Sequence, residues 1–464
     1  MFRGRVRHVH FVGIGGIGMS GLAEILRNLR FDVSGSDLKE GETTRRLARF
    51  GVRIDVGHRS ENVMGADVVV YSSAIDWENP ELQRAKQQGI PVVSRAEMLA
   101  ELMRVKYGVA IAGSHGKTTT TSLVATVLSA AGFDPTVVVG GRMAALGTNA
   151  RLGEGDLLVA EADESDGSFL RLTPTIAVVT NIDPEHLDHY GTHERIKQAF
   201  LEFIQKVPFY GLAVLCLDHP DVQDLLPQIQ RRHVTYGLSP QADYFARNVE
   251  FEGTSVRFSA FRRGESLGEY QVRMPGLHNV LNTLAAIAVA DELAVPFDVL
   301  RDSLAGFHGV ARRFTVTATV NGVVLVDDYG HHPAEVRATL AAARKAYSGR
   351  VFVVFQPHRY TRTQSLFEEF TRAFNDCDVL VVIPVYPAGE KPIEGATGDR
   401  LAAAITVHGH HSVNYVQSLA AAAELVVPQV RAGDVVIALG AGDVNKTLKL
   451  IQEQLAQSAP DGGG

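Results

Sequence analysis

Short apolar runs alternate along this chain with stretches whose apolar residues return every three or four positions, the pattern of strands exchanging with helices. Residues 8–12 form the first run; Gly13 to Gly18 follow, then Leu22, Ile25, Leu26 and Leu29 at helical spacing, then a second run at 31–34. That order predicts a βαβ opening. A second strand, turn and helix begin at 107–112, where Gly113-Ser-His-Gly-Lys-Thr precedes a helix with Leu123, Val124, Val127 and Leu128 on one face, closed by Gly132. A new phosphate-type loop predicts a new domain. Runs at 156–160, 176–180 and 212–217, with helical patterns between them, predict a mostly parallel sheet. Residues 234–274 differ, because Val256, Phe258 and Ala260 alternate as in a small antiparallel insertion. A third series follows Arg313, with runs at 323–326, 351–355, 379–383 and 435–439. The chain therefore reads as α/β with three domains, 1–105, 106–311 and 312–464, and the tail 458–464 is expected to fray.

Composition narrows the picture. The chain has 464 residues, 45% hydrophobic and 21% charged, the balance of a folded protein of several domains rather than a disordered or fibrous one. Its net charge is −7 with histidines neutral, and no block of Lys and Arg stands out, so bulk electrostatics give no case for nucleic acid or acidic lipid. Two cysteines, Cys216 and Cys377, make no disulfide framework and match no metal-ligand spacing. Both are expected to be buried and reduced, as in a cytoplasmic protein. The apolar run after the basic residues 1–8 stops at a glycine turn, too short for a signal peptide, and no stretch approaches the roughly 20 apolar residues of a membrane span.

Chemistry concentrates where runs end. Gly13-x-Gly15-x-x-Gly18 with Asp37 beyond it satisfies a dinucleotide fingerprint, in which glycines admit close backbone approach and a helix N-terminus attracts a pyrophosphate. Three readings stay open there: NAD, a nucleotide-diphosphate sugar, or a structural turn. Gly113-x-x-Gly116-Lys117-Thr118 brings backbone amides, a lysine charge and a metal-binding hydroxyl together, although two residues separate its glycines where the usual P-loop has four. The β-branched Thr118 to Thr121 would be poor helix residues without a ligand-facing first turn. Glu161-Ala-Asp163-Glu164-Ser-Asp166 ends an apolar run, with Glu161 the expected Mg²⁺ ligand and a solvated acidic loop the alternative. Asn181-Ile-Asp183-Pro-Glu185-His186 ends the next; Mg²⁺ prefers oxygen, so spacing leaves His186 evenly balanced. His278-Asn279-x-x-Asn282 precedes an apolar helix at 284–290 and reads either as amides facing a nucleotide or as capping. Arg312-Arg313 at the second boundary could clamp phosphate or simply be solvated, and Asp327-Asp328-Tyr329-Gly-His331-His332 lacks a zinc pattern. In Gln356-Pro-His358-Arg359-Tyr360-Thr-Arg362 the two arginines could fork onto one carboxylate, against a solvated helix surface.

Together these segments resemble the Mur ligase family across essentially the whole chain. The diagnostic ones run from His10 to Gly21, Gly113 to Thr120, Glu161 to Phe169 and Gln356 to Thr363, and the shortened P-loop is normal for that family. The resemblance implies a Rossmann-like first domain holding the UDP part of a nucleotide sugar through Gly13, Gly15, Gly16, Gly18, Asp37, Ser72 and Ser73. It implies a central P-loop ATPase domain and a Rossmann-like C-terminal α/β domain with amino-acid contacts. Gly113, Ser114, His115, Gly116, Lys117, Thr118 and Thr119 would hold ATP, with Asn279, Asn282, Arg313 and Asp328. Thr118, Glu161 and His186 would bind Mg²⁺, with Mn²⁺ the other candidate. Lys117, Glu161, His186, Arg313, Asp328 and His331 would be the catalytic set. Tyr329, His331, Arg359 and Arg362 would form the pocket for an incoming alanine. The implied activity is ATP-dependent joining of L-alanine to UDP-N-acetylmuramate, by a monomer or dimer. The alternatives are a recycling relative that attaches a tripeptide, and a nucleotide-binding sensor without turnover. A nicotinamide dehydrogenase has no place for the second loop. Related ligases carry a carbamylated lysine in the region of Lys197, which the sequence leaves unassigned.

Overall fold

The computed structural model describes residues 6–72, 74–139 and 150–457; Ser73 and the tail 458–464 lie outside the described residues. Two compact units emerge, one of Met1–Arg247, Ser259–Tyr270 and Leu281–Phe307, the other of Asn248–Phe258, Gln271–Val280 and His308–Gly464.

In the first unit a parallel sheet is ordered Arg53–Val56, Asp32–Asp37, His8–Val12, Val68–Tyr71, Val92–Ser94. The chain winds to one side of His8–Val12 and later to the other, so a crevice opens at the carboxyl end of that strand. Gly13 leaves the sheet there. A second sheet repeats the arrangement, with Tyr107–Ala112 between Leu157–Glu161 and Ile176–Val179, all parallel. Ala112 is level with Val179 and Ile111 with Glu161, so Gly113 departs between two strand ends that both carry polar chemistry. Val109, Ala110, Ile111 and Ala112 are completely buried, which explains a continuous apolar run rather than an alternating one.

The outer strands Tyr244–Glu252, Ser255–Arg262 and Glu265–Val272 pass from one unit to the other. Their connections, Gly253-Thr254 and Arg263-Gly264, are too short for anything but antiparallel hairpins. Arg263 (φ 49°) and Gly264 (φ 89°) take the left-handed conformation such turns need. Val256, Phe258 and Ala260 are buried with Arg257 exposed between them, as the alternation predicts.

The second unit's sheet runs Thr315–Val320, Val323–Asp328, Val435–Leu439, Val351–Phe355, Val379–Val382, Val413–Tyr415. Asp328, Leu439 and Phe355 lie level at its carboxyl edge. Thr315–Val320 pairs antiparallel with Val323–Asp328 through Asn321 (φ 51°) and Gly322 (φ 77°). Sequence patterning did not anticipate this edge strand, although an Asn-Gly turn is a strong hairpin signal. A second difference is the helix expected at 284–290, which spans Leu277–Glu292. It begins directly after Gly276 (φ 98°), so His278, Asn279 and Asn282 lie inside it, their polarity having masked its start. Cys216 and Cys377 are buried free thiols, and burial pushes both up to about 12. No helix among the described residues is long and apolar enough to cross a membrane.

Candidate active site

The first glycine loop is held by the strand beside it. Gly13 N–H and Ile14 N–H donate to the Ser36 carbonyl at 2.9 and 3.0 Å, and Gly15 N–H donates to Asp37 Oδ2 at 2.8 Å. Asp37 therefore shapes the loop. Gly13 has φ 79°, and a Cβ there would lie 3.7 Å from that of Ser72. Gly16 caps the helix Ile17–Asn28 without a side-chain bond, and the first turn carries no acid, as an anion-facing N-terminus requires. A Cβ on Gly18 would meet Arg95 Nη1 at 2.6 Å. Arg95 also reaches Asp163 at 3.6 Å, and the sequence did not single it out.

The second loop is built around a cation. Gly113 (φ 136°) and Gly116 (φ 81°) bracket Ser114 and His115, and the helix Lys117–Ala130 starts at once. Lys117 Nζ donates to the carbonyls of Gly113 and Ser114 at 2.5 and 3.1 Å and to Glu164 Oε1 at 2.8 Å. Burial alone would depress this lysine, but Glu164, Glu161 and Asp163 outweigh it and keep the ammonium charged. Thr118 Oγ1 donates to Glu161 Oε2 at 3.0 Å. Thr120 donates to Asn282 Oδ1 at 3.2 Å and Thr121 to the Lys117 carbonyl at 2.8 Å, so these two hydroxyls serve the protein rather than face a ligand; Thr119 is buried. The loop is latched to the next strand end: His115 N–H donates to Asn181 Oδ1 (2.7 Å) and Asp183 N–H to Ser114 Oγ (2.8 Å). Asp183 also faces His115 Nε2 at 3.1 Å and His219 Nε2 at 3.5 Å. Burial would raise its pKa, yet these imidazoles hold it well below the usual carboxylate range.

The residues expected to bind metal divide. Thr118 is joined to Glu161, whereas His186 is grouped with Glu164 and Glu185, one ligand atom from each lying within 4.8 Å of the others. Glu164 is 2% exposed; its Oε2 has no hydrogen-bond partner among the described residues, and burial pushes its carboxyl up to about 7 against the pull of Lys117. An orphaned, buried carboxylate oxygen beside a second carboxylate and an imidazole suits a divalent cation. Sequence reading stopped at Glu161 because burial, which separates Glu164 from its neighbours, is invisible in a run of four acids. Lys197 is engaged by Glu194 (3.3 Å), Asp221 (3.5 Å) and Asp224 (3.1 Å), which raise its pKa, the Asp224 bond foremost.

The remaining candidates, apart from Asn282, belong to the second unit. Asn279 Nδ2 donates to the Pro275 carbonyl at 2.7 Å, within the turn that starts its helix. Asp328 is buried: Oδ2 accepts from Phe314 N–H at 2.7 Å, and Oδ1 from Gly330 N–H at 2.8 Å and Thr339 Oγ1 at 3.2 Å. Burial raises it to about 6. It thus fixes the turn that presents Tyr329 and His331. Arg312 and Arg313 stack over Tyr329 at 4.9 and 5.3 Å, and Arg313 pairs with Glu335 at 3.2 Å. Glu335 also accepts from His331 N–H at 2.9 Å. Arg359 (φ 69°) lies 4.0 Å from Glu390, and Arg362 donates to the His358 carbonyl at 3.4 Å. His358 stacks on Tyr386 at 5.4 Å, and burial followed by the two arginines depresses it to about 4. His331 and His358 rings are 6.0 Å apart, so Tyr329, His331, His358 and Arg362 form one neighbourhood at the sheet's carboxyl edge.

Comparison with known proteins matches three family models to the chain: "Mur ligase family, catalytic domain" over residues 8–107, "Mur ligase middle domain" over 111–290 and "Mur ligase, glutamate ligase domain" over 312–442. The chain is 71% identical to a UDP-N-acetylmuramate–L-alanine ligase of Sorangium cellulosum, covering 99% of both chains. It is 60% identical to that of Myxococcus xanthus, over 95% and 94% of the two. Among solved structures, the UDP-N-acetylmuramate-alanine ligase of Thermotoga maritima is similar with a TM-score of 0.81 and 30% identity, over 97% of this chain and 99% of that one. A murein peptide ligase of Psychrobacter arcticus gives 0.69 at 23% identity over the same shares, a likeness of fold alone.

Proposed function

This chain belongs to the Mur ligase family, and from that premise we infer that it joins L-alanine to UDP-N-acetylmuramate at the expense of ATP, a step in peptidoglycan precursor synthesis. The observation that carries the reading is the full-length likeness to UDP-N-acetylmuramate–L-alanine ligases. A charged lysine set in a glycine loop supports it.

The chemistry dictates an activation step. A carboxylate is a poor electrophile and oxide a poor leaving group, so an amine does not displace it unaided near neutral pH. Phosphorylation of the lactyl carboxylate by ATP gives an acyl phosphate, and the alanine amine then attacks the carbonyl and releases phosphate. No protein nucleophile is needed; positioning and electrostatics supply the rate. Lys117 stabilises charge on the phosphoryl group in transfer, and the amides of residues 113–118 cradle the nucleotide phosphates, with Asn279, Asn282, Arg313 and Asp328 completing the ATP set. The Gly13–Gly18 loop, with Asp37, Ser72 and Ser73, takes the UDP part. Tyr329, His331, Arg359 and Arg362 take the alanine, the arginines matching its carboxylate.

Mg²⁺, or Mn²⁺, is the metal this donor set fits, held through Thr118 and Glu161 and through His186 with Glu164 and Glu185. Bound there it would supply positive charge to the phosphate oxygens. Residues 1–105, 106–311 and 312–464 form the three domains, and the protein acts in the cytoplasm.

Phosphate release from ATP tests this reading directly. Release should require both UDP-N-acetylmuramate and L-alanine; release with a tripeptide in place of alanine would transfer the assignment to a recycling ligase, and none with any combination would sink ligase activity.

A further inference from the structure

A buried carboxylate beneath the first glycine loop has no part in this chemistry. Glu81, completely buried in the first turn of the helix Pro80–Gln87, accepts from His10 Nε2 at 3.1 Å and Ser36 Oγ at 2.7 Å through Oε2. Oε1 accepts from Asn62 Nδ2 at 2.6 Å and Arg59 N–H at 3.2 Å, with His58 Nδ1 3.6 Å away. Burial would raise its pKa, but the bonds from His10, Ser36 and Asn62 prevail and hold it below the ordinary carboxylate value. A buried charge is a costly way to join elements that an apolar contact would join as well, so its partners matter more than its contribution to stability.

Those partners converge on the loop. Ser36, bound to Glu81 by its hydroxyl and 2.9 Å from His58 Nδ1, carries the carbonyl that receives Gly13 N–H and Ile14 N–H. Asp37, next along the strand, receives Gly15 N–H on its side chain and Gly57 N–H on its carbonyl. His10, on the strand that delivers the loop, is tied through Nδ1 to Ser34 Oγ at 2.7 Å. One carboxylate therefore fastens the strand before the loop, the strand that anchors its amides, and the 57–62 segment beside Asp37.

We propose that Glu81 is a positioning residue for the nucleotide-sugar substrate: it holds Ser36 and Asp37, which anchor the amides of Gly13, Ile14 and Gly15, so that the loop and the helix N-terminus that follows it keep the geometry a diphosphate needs. This rests on the reading of the Gly13–Gly18 loop as the holder of the UDP part. Among the described residues nothing in the network reaches the Lys117 loop, so its loss acts on one substrate only.

Steady-state phosphate release on purified full-length variants separates the possibilities. Glu81→Gln places an amide nitrogen among donors and should raise the KM for UDP-N-acetylmuramate about tenfold, the scale of one charge-assisted bond, with the KM for ATP unchanged. Ser36→Ala removes a single hydroxyl and should raise the same KM by about threefold; it decides the matter if Glu81→Gln does not fold. Gly15→Ala, whose Cβ would stand 2.8 Å from Asp37 Oδ2, controls for the loop itself. If Gly15→Ala raises that KM while the other two variants do not, the positioning role is overturned and the UDP reading survives. If Gly15→Ala leaves it unchanged, the UDP reading fails and takes the proposal with it. A parallel rise in both KM values with a lowered unfolding midpoint would reduce Glu81 to a structural residue.

Discussion

The two glycine loops occupy the same place in their sheets, after a buried central strand and before a helix, yet the buried carboxylates tied to them are treated in opposite ways. Glu81, under the first loop, is surrounded by donors and stays ionised. Glu164, beside the second, is pushed up to about 7 by burial, has Lys117 on one oxygen and has no hydrogen bond on the other among the described residues. A satisfied carboxylate fixes a shape, whereas one with a buried, unbonded oxygen is held near neutrality by its surroundings. The first loop correspondingly has its Gly13, Ile14 and Gly15 amides anchored on Ser36 and Asp37, and the second adds a lysine bonded to two carbonyls. The two loops thus share one backbone design with different charges placed around it.

Removing the charge from the second loop should have the largest effect. Lys117→Ala is expected to lower kcat by at least about a hundredfold, because transition-state charge stabilisation of a few kcal/mol is lost. Unfolding cooperativity and the first loop's affinity for the nucleotide sugar should persist. Turnover near wild type would erase the distinction between the loops.

Backbone substitutions sharpen it at a smaller scale. Gly116→Ala places a methyl group at φ 81° and 2.6 Å from Asn282 Oδ1, a short side chain already bonded by Thr120. A loss of about 1–3 kcal/mol in urea unfolding is expected, since neither strain nor clash can relax cheaply. Gly18→Ala meets the far end of Arg95, a flexible side chain, and lies in a helix that favours alanine. Its unfolding free energy should change by less than about 0.5 kcal/mol. Equal costs at the two glycines would mean that the loops are equally rigid.

How much of this was legible in the sequence follows from the same contrast. The strands at 8–12, 107–112, 351–355 and 435–439 coincide with the observed ones because their apolar runs are bounded by glycine or polar residues. Thr315–Val320 escaped because its exposed face interrupts the apolar pattern, leaving only Asn321-Gly322 as its signal. Glycine spacing and Lys117 marked both loops, since backbone approach and charge are written in residue type. Glu81 and Glu164 were not legible: no local pattern distinguishes a carboxylate that will be buried from one that will be solvated. Glu81 depends on His10 and Ser36, far away in the chain, and Glu164 on Lys117 and His186. The arginines at 359 and 362 were legible as residues, but their contacts with Glu390 and with the His358 carbonyl depend on the folded chain and not on any local pattern.

The finest test of the comparison is a pair of pH slopes, measured by urea unfolding in chelator so that no divalent cation intervenes. Glu164 titrates near pH 7 in the native protein and near 4.5 when unfolded, so between these values the native state holds a proton that the unfolded chain has released. Stability falls as pH rises through that window, and Glu164→Gln should remove the fall. Glu81 is depressed, so below about 4.5 the unfolded chain takes up a proton first, and stability declines as pH falls. Glu81→Gln should remove that decline and leave the window from 4.5 to 7 untouched. Each slope stays under about 1.4 kcal/mol per pH unit, the limit for one proton. Slopes of the same sign would mean that the protein solvates both carboxylates alike, and the contrast between the two loops would then lose its physical basis.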